Sequence, residues 1–247
     1  MKRVVAVMVV LGVQAASLLG GTFPGSITRE PLVRGSVSDR LSIGMNYNRI
    51  KRGITVNNMP FVDVLEADSI SGYAGYDVMP WLTAFVTAGG SSLRGGDWSS
   101  SDYGLHVSGG LHAYLWEADV LSPTFAAGRV SIKGMVEIGH HRSDSLYGGS
   151  DWLEMLAALP VGYEFFDRYP TKRSGVATSL ALYVGPVFSY LDGDLAVGPG
   201  MKSGFSSDRS IGAVAGADVY FAPSFGVGVK VMLLDEVSTG ASVRFHF

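Results

Sequence analysis

The sequence predicts an all-β protein whose antiparallel strands close into a barrel that spans a membrane. Three observations predict this class. Charged residues make up 17 % of the 247 residues, against about 25 % in an average soluble domain, and the mean hydropathy is +0.25. Segments of about ten residues alternate between apolar and small or polar positions, as membrane strands do. Short proline-containing connections and longer polar ones take turns along the chain.

Composition excludes several other classes. The hydrophobic fraction of 47 % and the aromatic fraction of 11 % are too high for a disordered chain. A formal charge of −3 lacks the basic excess of nucleic-acid binders. Since the chain contains no cysteine, disulfides, thiolate metal sites, a cysteine nucleophile and an N-terminal lipid anchor on cysteine are excluded. We expect no nucleic-acid partner and no cofactor.

The first twenty residues have the layout of a secretory signal peptide. Met1-Lys2-Arg3 is a basic start, and an apolar run follows over residues 4–13. Ten apolar residues are too few for a membrane anchor, which needs about 20, and small residues then predict cleavage near 15–20. Residues 21–36 contain two prolines and no periodicity. They are interpreted as a periplasmic lead-in to a barrel over 37–247.

Alternation locates the strands. In the first strand, apolar residues at 41, 43, 45 and 47 alternate with small polar residues or glycine. Residues 174–191 also fit a transmembrane helix, because they contain no charge, but Gly175, Gly185 and Pro186 disfavour a helix. Ten strands are predicted, with eight as the alternative count: about 37–49, 62–78, 81–94, 103–117, 124–140, 152–167, 176–191, 208–221, 224–234 and 237–247.

The connections predict the orientation. Those that contain proline are short and lie at the end that holds both chain termini, and we expect them to be periplasmic turns. The other connections are longer and polar, and are expected to be extracellular: 51–61, 95–102, 141–151 and 192–207. Short turns on one side and long loops on the other are typical of barrels in the bacterial outer membrane.

The apolar face of each strand is expected to contact lipid, and the polar face to line the interior. In hydrocarbon every backbone polar group must be hydrogen-bonded, which strands achieve only by closure. The candidate lumen charges on the polar face are Lys133, Glu137, Glu154, Glu164, Asp218, Lys230 and Arg244, joined by Asp77. Aromatic residues on the apolar face near strand ends are expected to form interfacial girdles: Tyr47, Tyr76, Tyr103, Tyr163, Phe165, Tyr190, Phe221 and Phe247.

Two sets of residues carry a family resemblance. A Gly-x-acidic-apolar motif precedes a turn at 75–78, 162–165 and 216–219, and the first copy continues into MPWLTAFVTAGG. This resembles the strand–turn–strand of small, porin-like outer-membrane barrels of the opacity-protein and OmpA-like type. The C-terminal SVRFHF resembles the signal read by the barrel-assembly machinery, and its alternating residues are Val243, Phe245 and Phe247. The resemblance implies outer-membrane lipid and the assembly machinery as partners.

His106 and Ser108 are the strongest candidates for chemistry. They share one face of a strand and resemble the His-x-Ser pair of lipid A deacylases, although Gly109 stands where that family has asparagine. The neighbouring His140 and His141 point to opposite faces of a strand, so no metal site is predicted. We therefore expect a structural or surface-interaction protein without catalytic, cofactor or metal residues. A narrow porin-like channel and a lipid A-modifying hydrolase remain as alternatives.

Overall fold

A computed structural model describes residues 40–57, 62–94, 102–120, 128–145, 148–166, 179–222 and 225–247. Within these ranges the fold is all-β and antiparallel. The strands are β1 (Leu41–Val56), β2 (Val62–Met79), β3 (Leu82–Arg94), β4 (Asp102–Val120), β5 (Gly128–Ser145), β6 (Gly148–Ala158), β7 (Val161–Phe166), β8 (Ser179–Gly198), β9 (Met201–Ser207), β10 (Ile211–Ala222), β11 (Phe225–Leu233) and β12 (Val237–His246). No helix within the described ranges is long and apolar enough to cross a membrane. The predicted signal peptide and lead-in lie outside the described residues.

Hydrogen bonds connect the strands into a closed ring. The path runs from β1 through β2, β3 and β4 to β5. The next position is shared by β6 and β7, because each of them pairs with β5 on one side and with β8 on the other. It continues through β8, β10, β11 and β12, and β12 pairs with β1. The ring therefore passes through ten positions, an arrangement consistent with a β-barrel. The ten predicted segments correspond to these positions.

The ring is narrower at the end where the long connections lie, which we call the loop end. There β9 pairs with the second half of β8 and with residues 54–56 of β1. The opposite end is the turn end, where β12 pairs with residues 42–49 of β1. The loop end therefore closes through β8, β9 and β1, and it bypasses β10, β11 and β12. Eight strands surround the interior at the loop end and ten at the turn end.

Four segments differ from the sequence prediction. The predicted strand over 152–167 is broken at Leu159-Pro160, where Lys133 N–H donates to the Pro160 carbonyl at 2.9 Å and keeps the ring hydrogen-bonded. The predicted loops 51–61, 141–151 and 192–207 contain strand. β1 runs to Val56, β5 runs to Ser145, β6 begins at Gly148, and β8 continues into a hairpin with β9. The helix alternative is excluded over the described part of 174–191, which is strand.

The two faces of the ring have opposite polarity, and the polarity reverses along single strands. On β1, outward residues from Leu41 to Tyr47 are apolar and exposed, while Ser42 and Asn46 face inward and are buried. Beyond position 48 the outward residues Arg49 and Lys51 are charged, and the inward ones include Ile50 and other buried aliphatic residues. β2 reverses at 68–69 and β8 at 189–192 in the same way. The outward apolar region between the reversal and the turn end is called the apolar band.

Candidate functional site in the ring interior

The charged residues predicted to line the lumen lie on the inward face of the ring. Asp218 is fully buried, and Lys133, Lys230 and Arg244 are buried as well. The three glutamates of the set lie on the same face of β5, β6 and β7: Glu137, Glu154 and Glu164. The interior therefore holds charges of both signs.

Four side chains from three neighbouring strands form the centre of the polar interior. Ser108 on β4 donates its hydroxyl proton to Oε1 of Glu137 on β5. Thr87 on β3 lies with its Oγ1 2.7 Å from Ser108 Oγ and 3.1 Å from Nε2 of His106. Because the hydroxyl proton of Ser108 goes to Glu137, Thr87 donates to Ser108, and His106 donates its Nε2–H to Thr87. The chain of donors ends at a carboxylate.

A second group continues this network across β5, β6 and β8. The rings of His106 and His141 have centroids 4.3 Å apart, and His141 stacks on Trp152 at 4.9 Å and 7°. Nε2 of His141 lies 3.6 Å from Oε2 of Glu154. The other oxygen of Glu154 accepts a 3.3 Å hydrogen bond from Ser189. Polar contacts thus cross the interior from β3 to β8.

The two groups border a small cavity. Its lining includes His106, Glu137, His141, Glu154 and Lys230, and its volume is ≈ 30 Å³. A single water needs about 10–15 Å³ measured in this way, whereas small-molecule sites measure about 300–1,000 Å³. The cavity has room for one or two waters between Lys230 and the carboxylates. A lipid or sugar substrate does not fit.

The hydrogen bonds of Ser108 do not match those of a serine nucleophile activated by His106. Activation of a serine by histidine needs a direct hydrogen bond between them. In the structure Thr87 lies between the two side chains, and Ser108 donates to Glu137 instead. The arrangement is a hydrogen-bonded link between strands.

A buried cation, Arg52, was missed because the sequence placed it in a loop. Its Nε lies 3.0 Å from Oδ1 of Asp235, and its terminal nitrogens donate to Ser189 Oγ at 2.7 Å and to the carbonyls of Ser189 and Arg209 at 3.2 and 2.5 Å. The guanidinium joins β1, β8, the segment before β10 and the β11–β12 turn, where the ring narrows. The available signal was the inward parity of β1, which continues through Ile50, Arg52 and Ile54.

Apolar side chains fill the interior at the loop end. We call this group the loop-end cluster; it consists of Ile50, Ile54, Val56, Leu65, Ala67, Trp152, Leu191, Leu195 and Phe205. Leu191 is completely buried, and Trp152 is the largest of the fully buried side chains in the described residues. The cluster lies on the loop-end side of the polar network and within the narrower part of the ring.

Aromatic rings occupy much of the turn-end interior. The guanidinium of Arg244 lies 3.7 Å from the ring centroid of Tyr73, an arrangement that favours a cation–π interaction. Tyr73 stacks on Phe85, which contacts His112 at a centroid distance of 4.4 Å. The hydroxyl of Tyr183 donates to a β11 carbonyl at 2.8 Å. These contacts connect β2, β3, β4 and β12 across the interior.

The outward face at the loop end carries an ionic group. Lys51 and Arg49 both bind the carboxylate of Glu66, and these hydrogen bonds hold the pKa of Glu66 below its usual value. The hydroxyl of Tyr47 donates to Asp68 at 3.0 Å. This group marks the loop-end border of the apolar band on β1 and β2.

The residues predicted for the girdles and the assembly signal lie on the outward face, and most of them are exposed. Exposed girdle residues are Tyr47, Tyr76, Tyr103, Phe221 and Phe247. Tyr163 is buried, and its ring contacts Phe165 at 4.6 Å. The assembly-signal residues Val243, Phe245 and Phe247 are all exposed, at the end of the strand that closes the ring against β1.

In the part of the chain that the structure describes, no three metal-ligating side chains are grouped to hold a metal ion. Comparison with models of known protein families gives no match, and comparison with curated proteins gives none.

Proposed function

We propose that the protein is an outer-membrane β-barrel with ten membrane strands, and that its role is structural or surface-interacting, without enzymatic activity. The observation that carries the proposal is the polarity of the faces. In water, a sheet buries its apolar face against another layer, and large exposed apolar patches are rare on soluble monomers. Here the exposed face of the apolar band is aliphatic and aromatic, while lysine, arginine and aspartate are buried inside. Hydrocarbon is the solvent that suits this arrangement.

In the proposal, the membrane border lies at the polarity reversal. Beyond the reversal, the outward face carries charges and the inward face carries the apolar loop-end cluster, as in a soluble protein. The outward charges there include Arg49, Lys51, Asp192 and Asp194. In the proposal, the loop end of the ring projects from the membrane into water, with the loop-end cluster as its core.

A closed lumen is favoured over the alternative of a solute channel. The loop-end cluster occupies the interior above the polar network, and small barrels are generally filled by side chains. We expect the purified protein to be silent in planar bilayers. Stepwise conductance would instead support the channel lined by Lys133, Glu137, Lys230 and Arg244. The hydrolase alternative predicts an altered lipid A profile on expression. We expect an unchanged profile, since the cavity beside His106 and Glu137 has a volume of only ≈ 30 Å³.

Charge substitution on the outward face tests the membrane proposal. Val107 is exposed within the apolar band on β4. Lysine at such a position costs about 2–4 kcal/mol at the bilayer midplane, but almost nothing on a water-exposed surface. We expect Val107→Lys to lower the free energy of unfolding, measured in lipid vesicles, by that amount. The control Asp194→Lys, on the outward face beyond the reversal, is expected to have little effect. Equal stability of both variants would contradict the proposal.

The orientation is tested with two exposed methionines at opposite ends. Met201 lies at the β8–β9 hairpin and Met79 at the end of β2, and the chain contains no cysteine. With a membrane-impermeant maleimide on intact cells, we expect labelling of Met201→Cys and not of Met79→Cys. Both should be labelled after lysis. The reverse result on intact cells would overturn the orientation.

A further inference from the structure

The ring interior contains two groups of buried apolar side chains that share no residue. One is the loop-end cluster, and the other lies on its turn-end side. Polar residues separate the two groups along single strands. On β6, Glu154 lies between Trp152 of the loop-end cluster and Leu156 of the other group. On β8, Ser189 separates the two groups in the same way and is completely buried. The loop-end cluster is therefore a packed unit of its own.

Closure of the ring at the turn end does not depend on the strands that close the loop end. At the turn end β12 pairs with residues 42–49 of β1, and β10 pairs with residues 179–188 of β8. At the loop end, the hairpin formed by β9 and the second half of β8 pairs with residues 54–56 of β1. We call residues 192–206 the closing hairpin. Its separation from β1 opens the loop end but leaves the pairs of β12 and β10 in place.

The closing hairpin meets β1 along a short seam. Asn57 N–H donates to the Gly204 carbonyl at 2.8 Å, and Asp208 N–H donates to the Gly53 carbonyl at 3.0 Å. Of the seven described residues of β9, Phe205 alone is buried, and it belongs to the loop-end cluster. The other members of the cluster lie on β1, β2, β6 and β8. Closure of the loop end therefore depends on this seam and on the packing of the cluster behind it.

The two ends of the ring differ in what surrounds a backbone group that loses its partner. In the proposed location, strands of the apolar band lie in hydrocarbon, where an unpaired N–H or C=O is strongly unfavourable. At the loop end the outward face carries Lys51, Asp192 and Asp194, and in the same location this end lies in water. Backbone groups released there form hydrogen bonds with solvent instead. Opening is therefore confined to the loop end, as local openings in native proteins are confined to their less stable units.

We propose that the loop-end cluster is a gate over the polar network, and that it opens by local unfolding of the closing hairpin. The inference rests on the proposed membrane location, which keeps the turn-end part of the ring closed. In the closed state the cluster covers the cavity beside His141 and Glu154, with Trp152 stacked on His141. Opening removes the apolar side chains of the closing hairpin from the interior and admits water to that cavity. The aromatic rings of the turn-end interior stay in place, so the open state hydrates the polar network without forming a pore.

Two valines with the same exposure test the gate. Val56 lies in the loop-end cluster opposite Phe205, Val214 lies in the other apolar group, and each valine is 1 % exposed. Ser69 is buried and lines the cavity. Since the chain contains no cysteine, Ser69→Cys reports on water access there. In lipid vesicles we expect Val56→Ala to raise the rate at which a small methanethiosulfonate reagent modifies Ser69→Cys by about tenfold. This factor corresponds to about 1.4 kcal/mol, the size expected for the loss of two buried methyl groups. Val214→Ala should leave the rate nearly unchanged. Equal acceleration by both alanine variants, or none by Val56→Ala, overturns the inference.

Hydrogen–deuterium exchange tests the gate without a packing substitution. In the unmodified protein in vesicles, we expect the amides of the closing hairpin to exchange about tenfold faster than those of residues 211–220 on β10, as a less stable unit does. Thr55 and Ser206 are register partners across the seam. A disulfide between Thr55→Cys and Ser206→Cys should slow the exchange of the closing hairpin, and reduction should restore it. Equal exchange of the two segments, or no effect of the disulfide, overturns the gate while the membrane proposal stands. Recovery of the unmodified protein in the soluble fraction of cells overturns the membrane proposal itself.

Discussion

Replacement of Arg52 by methionine is expected to destabilise the ring at the point where it narrows. The guanidinium is 1 % exposed and makes an ion pair with Asp235, which is itself mostly buried. It also donates to one hydroxyl and two backbone carbonyls from β8 and the segment before β10. Methionine has a similar length and preserves the packing of the side-chain stem, so the substitution removes mainly the charge and its hydrogen bonds.

The magnitude follows from the groups left behind. Removing one partner of a buried ion pair costs about 3–5 kcal/mol, because the other charge stays buried without compensation. Asp235 is 11 % exposed and therefore keeps some contact with water, which places the expected loss toward the lower half of that range. The double variant Arg52→Met/Asp235→Leu removes the stranded carboxylate and is expected to recover part of the loss. The Ser189 hydroxyl and the carbonyls of Ser189 and Arg209 still lack the hydrogen bonds that Arg52 donated.

The assay is urea unfolding in lipid vesicles, followed by tryptophan fluorescence. Arg49 is the matched control, since it lies three residues away on the same strand, faces outward and is 43 % exposed in its ion pair with Glu66. Arg49→Met is expected to cost no more than about 1 kcal/mol, as exposed pairs do. If Arg52→Met lowers the free energy of unfolding by no more than Arg49→Met does, Arg52 does not stabilise the narrow end of the ring.

Three further predictions concern packing, pH and assembly. Gly216→Ala places a methyl group against the hydroxyl of Tyr183 and the backbone carbonyl of Val229 and should cost about 1–3 kcal/mol by overpacking, measured by urea unfolding. In a Tyr183→Ala background the cost should become smaller but persist, because the Val229 carbonyl stays in place; an unchanged cost would contradict the role of Tyr183. Lys202 donates to Asp151 at 2.9 Å and lowers the pKa of that carboxyl. The pair therefore stabilises the fold fully above the pKa of an unfolded aspartate, about 3.9. This stabilisation is lost as the pH falls through the lower pKa of the folded state. Asp151→Asn should therefore cost less than about 1 kcal/mol at neutral pH and nothing in strong acid, and a cost that persists in acid would contradict the assignment. Deleting Phe247 should lower the yield of heat-modifiable protein in cells but leave refolding of purified protein nearly unchanged, because the side chain is exposed; a normal cellular yield would contradict the assembly-signal interpretation.

Alternation alone was sufficient to assign the face of most residues, because the side chains of a strand point to opposite sides. Thus Leu41 and Met45 were correctly predicted to face outward, and Lys230 and Arg244 to face inward. The partners of the inward residues could not be predicted, because alternation does not specify which residues of neighbouring strands are paired. The contact of Thr87 with Ser108 depends on the β3–β4 register, in which the two residues are directly opposite.

The loop-end strands were missed for a physical reason. The sequence prediction assumes that the apolar face of every strand is the outward one. In the structure this is true only in the apolar band. On β8 the outward residues change from Tyr190 to Asp192 and Asp194, while the inward residues become Leu191 and Leu195. The alternation continues without interruption, but its sign changes, so an unbroken strand resembles the start of a polar loop. The proposed membrane accounts for the change of sign on β1, β2 and β8, since a strand that crosses from hydrocarbon into water has its outward side chains selected by each solvent in turn.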